Sequence, residues 1–111
     1  MIDNTPLANT YELIAEAHAK IQQDFSHIDP IVSVNTQMRK RGVPADAVTI
    51  DCLKSGKRIL LIFHDEQPEL VSYQFCFKDN DPYDEFKSIA HSDLTTQQLY
   101  DWMKERFLVR H

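Results

Sequence analysis

The sequence has only two glycines in 111 residues, and this scarcity argues against several classes of functional site. Glycine-rich loops that cradle phosphate groups need glycines close together, whereas Gly42 and Gly56 stand far apart. The two cysteines and five histidines show no Cys-x-x-Cys, His-x-His or His-x-x-x-His spacing, so no zinc motif is present. A Gly-x-Ser-x-Gly nucleophile motif is also missing. We therefore expect a non-enzymatic protein that uses no metal and no cofactor.

Long hydrophobic runs and a basic leader are missing as well. The first residues, MIDNTPLANT, are polar, and no apolar run approaches the ~18–20 residues that span a bilayer. Two cysteines without a secretory leader fit a reducing compartment. These features predict a cytoplasmic protein with no membrane partner. The net charge of −5 disfavours an extended nucleic-acid surface.

The remaining composition is that of an ordinary globular protein, with 42% hydrophobic and 26% charged residues. A chain of 111 residues suits one domain with one core. We predict a single domain over residues 1–111, of which residues 1–8 form a loose polar arm.

The first predicted helix covers residues 10–25. Asn9 and Glu12 have the spacing of a capping pair, and apolar residues then recur every four positions. These apolar positions are Leu13, Ala17, Ile21 and Phe25.

The segment 30–41 carries two conflicting signals. Pro30 at a first turn and Gly42 as a terminator predict a second helix. Several β-branched residues in the same segment favour a strand instead. We favour the helix, and the strand remains the alternative.

Two more helices are predicted near the C-terminus. Pro82 and the acidic residues around it favour a short helix over 82–90. Thr95 and Gln98 form a capping box in front of the last helix, 96–108.

Alternating apolar residues predict three strands, at 47–53, 58–64 and 70–77. Ser55-Gly56 suits a two-residue hairpin loop between the first two. The fold class is therefore α+β, an antiparallel three-stranded meander packed with helices.

This hairpin geometry assigns side chains to the two faces of the sheet. With a two-residue loop, Ile50 pairs with Leu61, and matching the apolar faces then pairs Leu61 with Tyr73. Cys52 falls on the core face and Cys76 on the other, so the two cannot form a disulfide. Strand alternation likewise points His64 and Asp65 to opposite sides, which argues against a general-base pair.

The second face of the predicted sheet has more large apolar side chains than a solvated face needs. Either the helix 30–41 covers them, or they form an interface with a protein partner or with a second copy in a homodimer. In the second case Asp51 stands at the rim of the interface. The predicted partner-binding residues are Leu53, Arg58, Leu60, Ile62, Leu70 and Gln74.

Two other functions are retained as alternatives. One is a small-molecule or metal-responsive regulator that uses His18, His64, Cys76 or the acidic segment Asp79–Glu85. That segment lacks the glycine and the final glutamate of a calcium-binding loop. The other is a minor nucleic-acid contact through two basic clusters, although the acidic balance and the base-free start of the last helix disfavour it. The clusters are Arg39, Lys40, Arg41 and Lys54, Lys57, Arg58.

Overall fold

A computed structural model describes residues 5–77 and 86–108. In chain order the elements are helix α1 (Pro6–Asp24), strand β1 (Ile31–Asn35), the one-turn helix α2 (Gln37–Lys40), strands β2 (Ala45–Cys52), β3 (Lys57–His64), β4 (Leu70–Phe77) and β5 (Lys87–Ala90), a 3-10 turn (His91–Asp93) and helix α3 (Thr96–Phe107). The five strands form one antiparallel sheet in the order β1-β2-β3-β4-β5. The predicted α+β class is confirmed, but the sheet has five strands where three were predicted.

The helix predicted over 30–41 is wrong in its first half, where residues 31–35 form the edge strand β1, and only residues 37–40 are helical. Val32 pairs with Ile50 and Val34 with Val48, so the strand alternative is correct for residues 31–35. The strand ends where the Asn35 side chain accepts a hydrogen bond from the backbone N–H of Gln37, 2.8 Å away. A single helical turn follows before the chain enters β2.

The helix predicted over 82–90 is also wrong in its last four residues, which form β5. Val71 of β4 pairs with Ile89, and Leu70 pairs with Ala90. Pairing with the open edge of β4 outweighs the local helix signal around Pro82. Positions 82–85 lie outside the described residues.

Helix α1 begins earlier than predicted. Thr5 is its N-cap and accepts a hydrogen bond from the backbone N–H of Ala8 at 3.2 Å, and Pro6 occupies the first turn. Residues 6–8, assigned to a loose arm, are therefore helical, and the pair at Asn9 and Glu12 does not start the helix.

The start of α3 is confirmed. The Thr95 hydroxyl accepts a hydrogen bond from the backbone N–H of Gln98 at 3.1 Å. Trp102, on the inner side of this helix, stacks on Tyr73 with ring centroids 4.6 Å apart and meets Phe75 edge-on at 5.6 Å. These ring contacts fix α3 against one face of the sheet.

The hairpin between β2 and β3 has a longer turn than predicted. Four residues, 53–56, connect the strands, and Gly56 adopts φ +72°, a conformation that favours glycine. Ile50 therefore pairs with Ile59, two positions away from the predicted Leu61. A shift of two positions keeps every side chain on its predicted face, since strands alternate with a period of two. Between β3 and β4 the predicted pairing of Leu61 with Tyr73 is confirmed.

The core lies between the sheet and the helices α1 and α3. Its fully buried large side chains are Ile14, Ile21, Val48, Ile50, Ile59, Leu61, Val71, Leu99 and Met103. The two helices also contact each other through polar bonds, such as that from the Thr96 hydroxyl to the Glu16 carboxylate at 2.9 Å.

An arginine joins three segments at the end of the sheet. The Arg39 guanidinium on α2 donates two hydrogen bonds to Asp46 of β2 and two to Asp65 in the β3–β4 turn, at 2.8–3.0 Å. This pairing holds the pKa of the Asp65 carboxyl below its ordinary value and raises that of Arg39. Arg39, a member of the first basic cluster, therefore links α2 to two other segments.

The two neighbouring leucines of β3 provide a test of the core. Leu61 is fully buried, so Leu61→Ala should lower the free energy of unfolding by about 2–5 kcal/mol, measured by urea denaturation. Leu60 on the other face is half-buried, and Leu60→Ala should cost about 1 kcal/mol. Equal losses would contradict the assignment of the two faces.

The ion pairs of Arg39 predict a pH-dependent contribution to stability. Because the folded state lowers the pKa of Asp65, the contribution is present above the ordinary aspartate pKa of about 4. It disappears as the pH falls through the lower folded value. Urea denaturation should show wild type to be more stable than Asp65→Asn at pH 6, with a smaller difference at pH 3. Glu66→Gln in the same turn should show little effect at either pH, and an unchanged Asp65→Asn difference would contradict the charge-based role.

Candidate protein-binding face

The sheet has an outer face, defined here as the side away from α1 and α3. Strand pairing and alternation assign its side chains. They are Ile31, Ser33 and Asn35 of β1, Ala45, Ala47, Thr49 and Asp51 of β2, Arg58, Leu60, Ile62 and His64 of β3, Leu70, Ser72, Gln74 and Cys76 of β4, and Ser88 and Ala90 of β5.

Two large side chains of the central strand form an apolar ridge on the outer face. Leu60 lies between Thr49 on β2 and Gln74 on β4. Ile62 lies between two small residues, Ala47 and Ser72. Ile62 therefore stands above lower surface on either side.

Several residues on this face are well buried. Ala47 is 7% exposed and Thr49 is 8% exposed, although α1 and α3 pack on the opposite side. Leu60, Ile62 and Leu70 are half-buried, so part of each apolar side chain is accessible from outside.

An ion pair lies at one end of the ridge. The Arg58 guanidinium donates to the Asp51 carboxylate at 2.6 Å and 3.0 Å, across directly paired strand positions. Asp51 is 6% exposed, whereas Arg58 retains more contact with solvent. Two parallel bonds hold the guanidinium plane in a fixed orientation beside the apolar strip.

Five of the six predicted partner-binding residues lie on the outer face. They are Arg58, Leu60, Ile62, Leu70 and Gln74. Gln74 is 6% exposed and offers little surface. Leu53 is separate from them, in the β2–β3 turn, where 61% of it is exposed.

The helix predicted over 30–41 was expected to cover the outer face. The first half of this segment instead forms β1, which extends the sheet and does not cover its face. The one-turn helix α2 borders the face instead, and its Gln37 and Lys40 line a shallow depression together with Ser33, Thr49 and Arg58.

The residues of the predicted regulatory site are dispersed. His18 on α1 has its Nε2 atom 2.9 Å from the Pro30 carbonyl oxygen. His64 lies opposite Ala45 at one end of the outer face, whereas Cys76 lies opposite Arg58 at the other. Within residues 5–77 and 86–108, no group of three or more His, Cys, Asp or Glu side chains is placed to hold a metal ion. The acidic segment 79–85 lies outside the described residues.

Both cysteines are free thiols. Cys52 is buried on the core face and Cys76 is half-buried on the outer face, as their alternation predicted. Burial raises the pKa of the Cys76 thiol, although the nearby Arg58 and Arg106 act in the opposite direction. The thiol form of Cys76 therefore predominates near neutral pH.

A cavity of about 610 Å³ lies beside the β2–β3 turn, and sequence reasoning missed it. Ile28, Cys52 and Phe107 supply buried apolar surface, and Leu53 and Lys54 extend from the turn. Its residues come from three distant parts of the chain, so no sequence spacing could have identified it.

None of the helices in the described part of the chain is long and apolar enough to cross a bilayer. Comparisons with protein-family models, with curated proteins and with solved structures found no match for this chain.

Proposed function

We propose that this protein is a non-enzymatic interaction module that binds a protein partner through the outer face of its sheet. The observation that carries the proposal is the accessible apolar ridge of Leu60 and Ile62 on a face that neither long helix covers. Leu70 continues the apolar surface on β4.

The chemistry around the ridge supports a protein as the occupant. Protein interfaces combine an apolar centre with a polar, partly solvated rim, and the Asp51–Arg58 pair and His64 lie at the two ends of the ridge. Small molecules prefer enclosed concave sites, whereas an open apolar ridge along a strand suits the side chains of another protein. The interaction needs no cofactor, and we place it in the cytoplasm.

The Asp51–Arg58 pair has a defined part in this proposal. The two bonds to Asp51 fix the orientation of the Arg58 guanidinium before binding. An acidic group of the partner would therefore meet a preorganised guanidinium. Charged groups at a rim contribute mainly to specificity and to the rate of association. The apolar ridge then supplies most of the affinity.

The test compares three apolar-to-acid substitutions. Ile62→Asp places a charge on the ridge and should abolish capture of a partner from lysate, while circular dichroism and the melting temperature stay near wild type. Val43→Asp changes a residue that is 44% exposed away from the ridge and should leave capture intact. Leu61→Asp buries a charge in the core and should unfold the protein.

Stoichiometric recovery with wild type and Val43→Asp, but not with Ile62→Asp, supports the proposal. Equal recovery with Ile62→Asp shows that the partner binds elsewhere. Unfolding of Ile62→Asp to the same extent as Leu61→Asp shows that the outer face is itself covered in the folded protein.

A second candidate function, small-molecule binding, is supported by the cavity beside Cys52. Its volume of about 610 Å³ falls within the ~300–1,000 Å³ usual for ligand sites. The lining carries the exposed Lys54 ammonium and the Asp29 carboxylate beside an apolar interior, and Lys54 is the group that would bind an amphipathic carboxylate.

A thermal-shift experiment tests this candidate with decanoate as the probe and decanol as the uncharged control. Saturating decanoate should raise the melting temperature, and Lys54→Gln should reduce that shift. Lys87→Gln, a surface lysine far along the chain, serves as the matched control. Equal shifts in wild type and Lys54→Gln would contradict a role for Lys54, and no shift would contradict the class of ligand.

A further inference from the structure

We propose that the β1 edge of the sheet pairs with β1 of a second copy, which joins two sheets into one continuous antiparallel sheet. This surface differs from the outer face, and the inference does not depend on the function proposed above. It rests on the exposed edge, on the self-complementary sequence of β1 and on the charges at its two ends.

The β1 edge lacks the protection that edge strands usually carry. β1 is the first strand of the sheet, and in residues 5–77 and 86–108 no other strand pairs with its outward N–H and C=O groups, which can therefore pair with a second copy. Its five residues, IVSVN, include no charged residue and no proline. The opposite edge strand β5 is shorter and carries Lys87, a residue type that discourages strand pairing.

Apolar surface is concentrated beside this edge. Ile31 is 41% exposed and Val34 is 45% exposed, on opposite faces of the strand. On α1, Tyr11 is 44% exposed and lines a groove of about 230 Å³ together with Ala15 and Val32. The exposed strip of α1 therefore adds apolar area next to the strand.

The sequence of β1 is complementary to itself in one antiparallel register. A two-fold axis perpendicular to the sheet at Ser33 places Ser33 opposite Ser33 of the second copy. Val32 of each copy then lies opposite Val34 of the other copy, on the core side of the sheet. All five residues of β1 are paired in this register. The same axis keeps the two helical layers on one side of the joined sheet.

The charges that flank β1 favour the same arrangement. Asp29 precedes the strand with 71% of its side chain exposed, and the exposed Lys40 and Arg41 follow it. Antiparallel pairing brings Asp29 of one copy alongside α2 of the other, where Lys40 and Arg41 lie. Symmetry repeats this attraction, whereas pairing of the strands in the parallel direction would bring like charges together.

Crosslinking through an introduced cysteine tests the register. Directly opposite residues have Cβ atoms about 5 Å apart, so Ser33→Cys should give a disulfide-linked dimer under mild oxidation. Asn35→Cys is the matched control, because it is also exposed and on the same face of β1. In the proposed register its two copies lie about 14 Å apart, which prevents a bond. Wild type, whose own cysteines lie on β2 and β4, gives the baseline.

Sedimentation velocity tests the affinity without a crosslink. We expect a dimer dissociation constant on the order of 10 µM, as suits a small interface, and Val34→Lys should raise it at least about tenfold. Asp29→Lys should also weaken the dimer, and adding Lys40→Glu and Arg41→Glu should restore it. Circular dichroism verifies that each variant is folded.

The results of these experiments distinguish this inference from the proposed function. A wild type that stays monomeric at about 200 µM, or equal crosslinking of Ser33→Cys and Asn35→Cys, overturns the inference. A dimer that Ile62→Asp disrupts and Val34→Lys does not also overturns it, and assigns self-association to the outer face. Loss of the dimer in Val34→Lys with retention in Ile62→Asp supports it.

Discussion

The alternation of side chains along β3 is the constraint on which the rest of the structure depends. β3 is the central strand and pairs on both edges, so its two-residue period determines which side each residue of β2 and β4 takes. Leu61 and Leu60 are neighbours in sequence, yet Leu61 lies in the core under α1 and α3 while Leu60 lies on the outer face. The core and the candidate interface are two consequences of one alternating strand.

This constraint also explains how much of the fold could be predicted. The face on which a side chain lies changes only if the strand pairing shifts by an odd number of residues. The β2–β3 turn has four residues and not two, which shifts the pairing by an even number, so the predicted faces remained correct. The start of α3 was predictable because Thr95 makes its cap with a residue three positions away. β1 was assigned wrongly because Pro30 and Gly42 give local helix signals, whereas its pairing with β2 is a contact between distant residues.

The candidate sites also divide into those that local sequence predicts and those that depend on contacts between distant residues. The outer face was predictable because alternation alone places Leu60, Ile62 and Leu70 together. Leu53 was assigned to that face by extending the alternation into what is the turn. The cavity that brings Phe107 near Cys52, and the pairing of Arg39 with Asp65, depend on tertiary packing that no sequence spacing records.

The order of the strands has a consequence for how this chain folds. Each strand pairs with the strand next to it in sequence, so the sheet can grow by successive hairpins, each of which closes only a short loop. The contact between α1 and α3 is different, since the bond from Thr96 to Glu16 joins residues 80 positions apart. Contacts between residues this distant are costly in chain entropy until the intervening segments are ordered. We therefore expect a transition state in which the central hairpins are formed and the two helices dock late.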